Sequence, residues 1–181
     1  MNDMTNAPTA AHGWLDQMVG DWTFEGRAVP DQTDGLQTGT ERITRRGAWL
    51  IIEGDDYRFQ LTLDPETGRA SGDFVHWAHP LLWTYDGAVE ADGKLHLRSR
   101  GPDMEGKGAD TEYDDVFEIV SPDERRSAGR VKDADGTWRD FSRTVYRRVG
   151  AARCSASSSP ASPWTIRPKV APSMWTSSAF R

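Results

Sequence analysis

Between Trp22 and Tyr146 the sequence alternates apolar and polar residues with a period of two, and no other feature restricts the fold as strongly. In the stretch from Tyr57 to Leu63, for example, rings and leucines occupy every second position. Because successive side chains of a β-strand point to opposite faces, each such stretch is a strand with one buried face. About ten of these stretches follow one another at hairpin spacing. The pattern therefore predicts an antiparallel sheet.

Turn residues, rather than amphipathic helices, separate these strands. Asp92-Gly93 and Asp135-Gly136 are typical of tight hairpins. No helical pattern of about 10–15 residues lies between two strands, which argues against a parallel α/β sheet. An open sheet of this length would leave two exposed edges, and closure removes both. The predicted fold class is all-β, a closed antiparallel barrel of about ten strands, with a two-sheet sandwich as the alternative.

A short helical pattern precedes the first strand. Four apolar residues fall on one helix face and a glycine suited to a helix end follows them: Trp14, Leu15, Met18, Val19 and Gly20. The sequence thus predicts a plug helix over residues 12–19 at the start of a barrel domain that spans residues 12–149. The polar residues 1–11 are predicted to form a disordered lead.

The composition changes sharply after residue 149. Residues 151–181 contain eight Ser, six Ala and four Pro but no Asp or Glu. The segment from 150 to 181 is predicted to be a disordered tail. An out-of-frame translation is the other interpretation, because the strand rhythm and the acidic residues stop at the same point. Translating the gene in its other two frames distinguishes the two.

Charge and composition limit the partners of the barrel. Residues 1–150 hold 18 basic residues against 28 acidic ones, a net charge of −10, which repels nucleic acid and anionic membranes. No apolar run approaches the ~20 residues that span a bilayer, and the N-terminus lacks the pattern of a secretion signal. We therefore expect a cytoplasmic protein. Eight Trp, six Phe and four Tyr can supply its core.

Short motifs along residues 12–149 carry a family resemblance. They are, in chain order, Trp14-Leu-Asp-Gln-Met-Val-Gly-Asp-Trp22, Gly39-Thr-Glu41, Gly47-Ala-Trp49, Glu53-Gly54, Leu63-Asp64-Pro65, Trp83-x-Tyr85-x-Gly87, Gly101-Pro102-Asp-Met104-x-Gly106, Tyr113-x-Asp115-Val116, Asp135-Gly136-x-Trp138 and Tyr146-Arg147-Arg148. Gly20-x-Trp22 resembles the Gly-x-Trp signature of lipocalins and other calycins. In the order of all its motifs the chain resembles DUF1579, a bacterial family of calycin-like barrels of unknown function. The loop after Glu53-Gly54 is shorter here than in that family, and residues 151–181 have no counterpart in it.

The resemblance implies a structural role for Trp22 but no activity. In lipocalins an arginine of the last strand lies across the ring of this tryptophan, which implies a cation–π contact from Arg147 or Arg148. Related ten-stranded barrels can hold haem through one histidine, and His76 and His96 are the strand histidines available for it. No other cofactor is expected.

The sequence His76-Trp77-Ala78-His79 brings two histidines close together along the chain. Residues three apart in a strand face opposite sides, and zinc needs at least a third protein ligand. We therefore expect one histidine in the core, the other at the rim, and no metal site.

Two carboxylates fall on strand faces that are otherwise apolar. Glu53 alternates with Trp49, and Asp115 lies between Tyr113 and Phe117. A buried carboxylate is costly unless it is paired. Each of these anchors a ligand, acts as an acid with a raised pKa, or belongs to a structural salt bridge. Three arginines are available as partners: Arg42, Arg98 and Arg143.

The predicted function is a binding module that holds a small, largely apolar or aromatic ligand inside the barrel. A solid-cored structural or interaction domain is one alternative. A cofactor-free lyase or isomerase that uses a buried carboxylate is another, and it rests on analogy of fold, so the sequence favours a protein that is not an enzyme. The predicted ligand-binding residues are Trp49, Glu53, His76, Trp83, Tyr85, Tyr113, Asp115 and Trp138.

Overall fold

The computed structural model describes residues 10–29, 35–103 and 110–150. Helix α1 spans Ala10–Asp16. The strands that follow are β1 Gly20–Ala28, β2 Gln37–Arg46, β3 Trp49–Gly54, β4 Tyr57–Leu63, β5 Arg69–His76, β6 Leu82–Val89, β7 Leu95–Gly101, β8 Thr111–Ser121, β9 Glu124–Lys132 and β10 Trp138–Arg148. Residues 1–9 of the predicted lead and 151–181 of the predicted tail lie outside the described residues.

The ten strands form one closed antiparallel barrel. Each strand pairs with its neighbours in sequence, and β1 pairs with both β2 and β10, so the sheet closes on itself. Closure leaves no strand edge for pairing with another chain. The predicted fold class is confirmed, and the two-sheet sandwich is excluded.

Aromatic rings line much of the barrel interior. In β4, β5 and β6 the registers place Phe59 opposite Phe74 and Phe74 opposite Trp83, so neighbouring strands turn their rings to the same side. The alternation read from the sequence is the cause, because every second residue of these strands is buried. The buried rings are Trp22, Phe24, Tyr57, Phe59, Phe74, Trp83, Tyr85, Tyr113, Phe117 and Tyr146.

Helix α1 covers one end of the barrel, which we call the closed end. Leu15 and Met18 are fully buried there, and the Trp22 Nε1 donates to the Met18 carbonyl at 2.8 Å. The helix predicted over residues 12–19 ends earlier, at Asp16, and a tighter turn continues through Val19. No described helix is long and apolar enough to cross a membrane.

The opposite end of the barrel, which we call the open end, is where β2 and β4 begin and β5 ends. The inward residues nearest this end include Gln37, Tyr57 and His76, all of them buried. Polar side chains are therefore buried at both ends of the barrel, but their surroundings differ.

Candidate functional site

Two arginines, Arg125 and Arg148, pack against the Trp22 ring at the closed end, and we call these three residues the arginine stack. The Arg148 guanidinium carbon lies 4.2 Å from the centroid of the Trp22 ring, as the family resemblance implied for Arg147 or Arg148. The same guanidinium donates to the carbonyls of Val19 at 2.6 Å and Gln17 at 2.9 Å. Gly20 has a φ of 140°, and a Cβ there would collide with Arg148. This cluster fixes the turn after α1 against the last strand and has a structural role.

A buried ion pair, which the sequence did not reveal, lies between the closed end and the centre of the barrel. Glu41 of β2 bonds to Arg125 of β9, and both side chains are almost fully buried. The Arg125 guanidinium carbon lies 3.7 Å from the Tyr146 ring centroid and 5.0 Å from that of Trp22. Burial lowers the pKa of Arg125 to about 10, so it remains a cation at neutral pH.

Tyr57 links this ion pair to the open end. Its hydroxyl donates to Glu41 Oε2 at 2.5 Å, across strand β3. The ring crosses that strand over Gly54, where a Cβ would collide with it. Because Glu41 accepts from Tyr57 as well as from Arg125, both charges of the pair are compensated within the barrel.

A second buried carboxylate, Asp115 of β8, lies among rings. The Tyr85 hydroxyl donates to it, and both side chains are buried. The pKa of Asp115 is raised to about 7: burial is the main cause, the Tyr85 hydrogen bond opposes it, and the neighbouring Asp114 adds to it. Burial likewise raises the pKa of Tyr85 well above its usual range. Asp115 therefore exchanges its proton near neutral pH, whereas Tyr85 keeps its own.

Aromatic side chains surround this pair on several sides. The Phe59 ring centroid lies 5.3 Å from that of Tyr85 and 6.1 Å from that of Phe117. Tyr113 meets Trp83 edge to face at 5.5 Å and Phe141 at 6.1 Å. Such walls, with a few polar groups among them, are typical of sites for small ligands.

Two buried polar atoms nearest the open end, Gln37 Oε1 and His76 Nε2, have no hydrogen-bond partner among the described residues. Ser99 Oγ, on the inward face of β7, is a third such atom. The Nδ1 of His76 accepts from the Ala78 N–H at 3.1 Å, so the ring proton lies on Nε2. Burial lowers the pKa of His76, and the neighbouring His79 lowers it further, so the ring is neutral. Of the two atoms nearest the open end, one is thus an acceptor and the other a donor.

The histidines do not fit haem. Nε2 of His76 carries its proton and has no lone pair for iron, and an iron-bound histidine would instead need an acceptor at Nδ1. His96 lies outside the barrel, where Nδ1 contacts Asp114 Oδ2 at 2.9 Å and Nε2 contacts Asp92 Oδ2 at 3.2 Å. Neither histidine is therefore free to serve as an axial ligand.

His76 is buried and His79 is half-buried in the turn after β5, in line with one histidine in the core and one at the rim, but the two rings do not face opposite sides. Strand β5 ends at His76 and the chain turns, which brings the two rings within 5.3 Å of each other. Across the described ranges no three His, Cys, Asp or Glu side chains are arranged to hold a metal ion.

Five of the predicted site residues come together inside the barrel. His76, Trp83, Tyr85, Tyr113 and Asp115 are all buried, and contacts link Trp83 to Tyr113 and Tyr85 to Asp115. The alternation of apolar and polar residues along the strands predicted that these residues face inward. Gln37, Glu41 and Arg125 were missed, because a polar residue on an inner face breaks the pattern that would reveal it.

The other three predicted site residues lie elsewhere. Trp49 is 39% exposed and Glu53 is exposed, because Leu50 and Ile52 are the residues of β3 that face inward. The expectation that Trp49 and Glu53 point into the barrel is therefore wrong. Trp138 is half-buried and pairs in register with Lys132, whose ammonium lies 5.6 Å from its ring centroid.

The arginines proposed as partners of the buried carboxylates also lie on the outer surface. Each forms an ion pair there, and the pairs are Arg42 with Asp21, Arg98 with Glu90 and Arg143 with Asp140. The pKa of Arg42 is raised by Asp21 and, to a smaller extent, by Glu53, which lies opposite Arg42 in register, so Arg42 interacts with Glu53 on the outer face. These contacts pair none of the three with Asp115. The salt bridge inside the barrel instead involves Glu41 and Arg125.

A concavity of about 450 Å³ lies on the outer face of β7 to β10 and includes His96 in its lining. Burial alone would lower the pKa of His96, but hydrogen bonds to Asp114 and Asp92 raise it. The arginines and acids of this cleft bind one another, as Arg130 and Arg143 do with Asp140. The cleft is therefore a surface on which the charges pair with one another.

Comparison with known proteins identifies the family and a solved barrel. A family model described as "Protein of unknown function (DUF1579)" matches residues 7–148. No curated protein matches the chain. Among solved structures the chain is similar to the S-type phycobiliprotein lyase CPES from Guillardia theta, with 13% sequence identity and a TM-score of 0.42. That match covers 75% of this chain and 89% of the other.

Proposed function

The chain belongs to the DUF1579 family of proteins of unknown function, and we propose that its barrel binds a small, largely apolar ligand inside the open end. The observation that carries this proposal is the pair of buried, unpartnered atoms Gln37 Oε1 and His76 Nε2. A buried polar atom without a hydrogen bond costs about 1–3 kcal/mol. A ligand that satisfies both atoms recovers this free energy on binding.

The surroundings of these atoms support the same proposal. Rings of Trp83, Tyr113 and Phe141 pack edge to face in the same half of the barrel, and they offer apolar contact area. Asp115 and Tyr85 add one more polar pair within the rings. The proposed binding residues are Gln37, His76, Trp83, Tyr85, Tyr113 and Asp115. Trp49, Glu53 and Trp138 are not included, because their side chains do not face the interior.

Binding is tested with purified protein and the apolar fluorescent probe N-phenyl-1-naphthylamine. We expect saturable binding at one site per chain, and native mass spectrometry is expected to detect any small molecule that purifies with the protein. No fluorescence change with this probe, together with an empty barrel in the mass spectrum, would overturn the proposal in favour of a barrel filled by its own side chains.

A variant that fills the interior with a larger side chain tests whether the probe binds inside the barrel. Ser99 is buried and inward-facing on β7, whereas Thr84 is exposed on the neighbouring strand β6. Ser99→Phe is expected to abolish probe binding, and Thr84→Phe, the matched control, to retain it. Circular dichroism melting checks that both variants fold. If Ser99→Phe does not fold, the smaller substitution Ser99→Leu serves as the blocking variant.

A second candidate function is acid–base catalysis by Asp115. Its pKa of about 7 suits proton transfer at neutral pH, and the Tyr85 hydrogen bond orients the carboxylate. In an isomerisation, the carboxylate takes a proton from one carbon of the ligand and returns it to another, so no cofactor is needed. Titration of Asp115 by carbon-detected NMR tests the premise. A pKa in the ordinary range for an aspartate would remove this candidate and leave the binding proposal intact.

A further inference from the structure

We propose that the interior site selects uncharged ligands that carry both a hydrogen-bond acceptor and a donor, of which an aromatic carboxamide is the simplest example. This inference rests on the proposed function, since it specifies the ligand class of the same site. It is carried by the balance of charges inside the barrel and by the two unpartnered atoms at the open end.

The charges that face the interior already compensate one another. Among the described residues, Glu41 and Arg125 form the buried pair, and Tyr57 donates to the same carboxylate. At the closed end, Arg45 bonds to Asp16 of α1 at 3.0 Å. Arg148 donates to backbone carbonyls there. Arg45 Nη1 and the Nε and Nη2 atoms of Arg125 make no regular hydrogen bond among the described residues, but each of these two side chains lies beside a carboxylate. The interior therefore offers an anionic ligand no cation that lacks a counter-charge.

The open end is also neutral in mildly acidic solution. The His76 ring is uncharged, because its Nδ1 accepts a hydrogen bond from Ala78. Asp115 keeps its proton under the same conditions, through burial and the neighbouring charge of Asp114. A charged ligand group placed between these residues would be buried without a counter-charge, and burial of an unpaired ion costs several kcal/mol.

The hydrogen-bonding requirement follows from the two atoms themselves. The His76 Nε2–H is a donor and needs an acceptor, whereas Gln37 Oε1 is an acceptor and needs a donor. A ligand with a carboxamide carries both an acceptor, the carbonyl oxygen, and a donor, the N–H. A carboxylate lacks the donor, and an ammonium group lacks the acceptor. Hydrogen bonding and charge therefore favour the same class of ligand.

A matched series of naphthalene derivatives tests the selection. The probes are 2-naphthamide, 2-naphthoate and 2-naphthylmethylammonium, measured by isothermal titration calorimetry at a mildly acidic pH. We expect the amide to bind at least about tenfold more tightly than either charged probe, a difference of about 1.4 kcal/mol or more. Equal affinities for the three probes, or tighter binding of a charged one, would overturn the inference.

The variants Gln37→Met and His76→Phe show which atoms make the selection. Each is expected to reduce the preference for the amide about tenfold, whereas binding of N-phenyl-1-naphthylamine changes less. The control is Gln60→Met, because the Gln60 side chain bonds to Asp73 on the outer face at 2.6 Å. An unchanged amide preference in both interior variants would contradict the assignment of these atoms.

The results also separate this inference from the function on which it rests. If N-phenyl-1-naphthylamine binds and the amide has no advantage, the ligand class is wrong and the binding function stands. If neither that probe nor any member of the series binds, both proposals fall.

Discussion

The two ends of the barrel bury polar side chains in opposite ways. At the closed end every cation described above has a carboxylate, a carbonyl or a ring against it, as the contacts of Arg125 and Arg148 show. At the open end, Gln37 Oε1 and His76 Nε2 are buried without a partner among the described residues. The comparison indicates that buried charges are paired at the closed end, whereas the two open-end atoms lack a counterpart and are expected to reduce the stability of the fold. In the binding proposal these two atoms contact the ligand.

The largest effect is expected at the Trp22 ring. Trp22→Ala removes a fully buried indole and its contacts with both guanidinium groups, and we expect a loss of about 3–5 kcal/mol in the free energy of unfolding. Urea denaturation followed by circular dichroism measures it. The control is Trp77→Ala, since Trp77 is 63% exposed and its loss should change stability by less than about 0.5 kcal/mol. Similar losses in the two variants would contradict a structural role for the arginine stack.

The buried ion pair is expected to give the next largest effect. Glu41→Gln leaves Arg125 charged and buried, and we expect it to destabilise the protein by about 3 kcal/mol. The double variant Glu41→Leu with Arg125→Met removes both charges, so it should lose less stability than the single change. A double variant that is less stable than Glu41→Gln would show that the ion pair adds net stability to the fold, beyond the neutralisation of each charge by the other. Urea denaturation of the two variants provides the comparison.

The open end is expected to respond to pH through Asp115. Its carboxyl ionises near 3.8 when unfolded and near 7 when folded, so between these values the folded state binds more protons. Stability contributed by this group is therefore lost as the pH rises through that interval. Asp115→Asn does not ionise, so its stability relative to the native protein should increase by about 2–3 kcal/mol between about pH 5 and about pH 8. A difference that stays constant across this range would refute the burial of an ionisable Asp115.

The smallest change in stability is expected at Gln37, and it tests the difference between the open end and the closed end most directly. Gln37→Met replaces a buried amide whose oxygen has no described partner with an apolar chain of similar length, and we expect a gain of about 1 kcal/mol in stability. Thermal unfolding measures it, alongside the loss of amide preference described above. A destabilised Gln37→Met variant would mean that the amide supports the fold, and the two ends would then not differ in kind.

Strand alternation was sufficient to predict the barrel and the inward position of five of the eight residues proposed for the site. It failed in β3, where Trp49, Leu50, Ile51 and Ile52 form an uninterrupted apolar run with no period. In such a run the face that points inward is set by the register with neighbouring strands. Ile52 pairs with Ile43 and with Phe59, both of them buried, and this turns Trp49 outward.

The Glu41–Arg125 ion pair and the Gln37 amide could not be predicted from the sequence, for a related reason. The inward face of β2 begins with Gln37, Gly39 and Glu41, whereas its outward face carries threonines and arginines, so neither face is apolar enough to show an alternation. Arg125 follows two residues after a turn and resembles any surface arginine in sequence. Only the closure of the barrel, which brings β2 and β9 to face each other across the interior, assigns these residues their roles.

The seam between β1 and β10 joins the two strands that are farthest apart in sequence, with Trp22 opposite Arg148. During synthesis the ribosome delivers β10 after the other nine strands of the barrel. Until β10 emerges, the nascent sheet therefore has two unpaired edge strands. Pairing over such a long stretch of chain is slow, because loop-closure entropy opposes it. The interval before β10 pairs with β1 is thus the period in which this protein is most vulnerable to association with other chains.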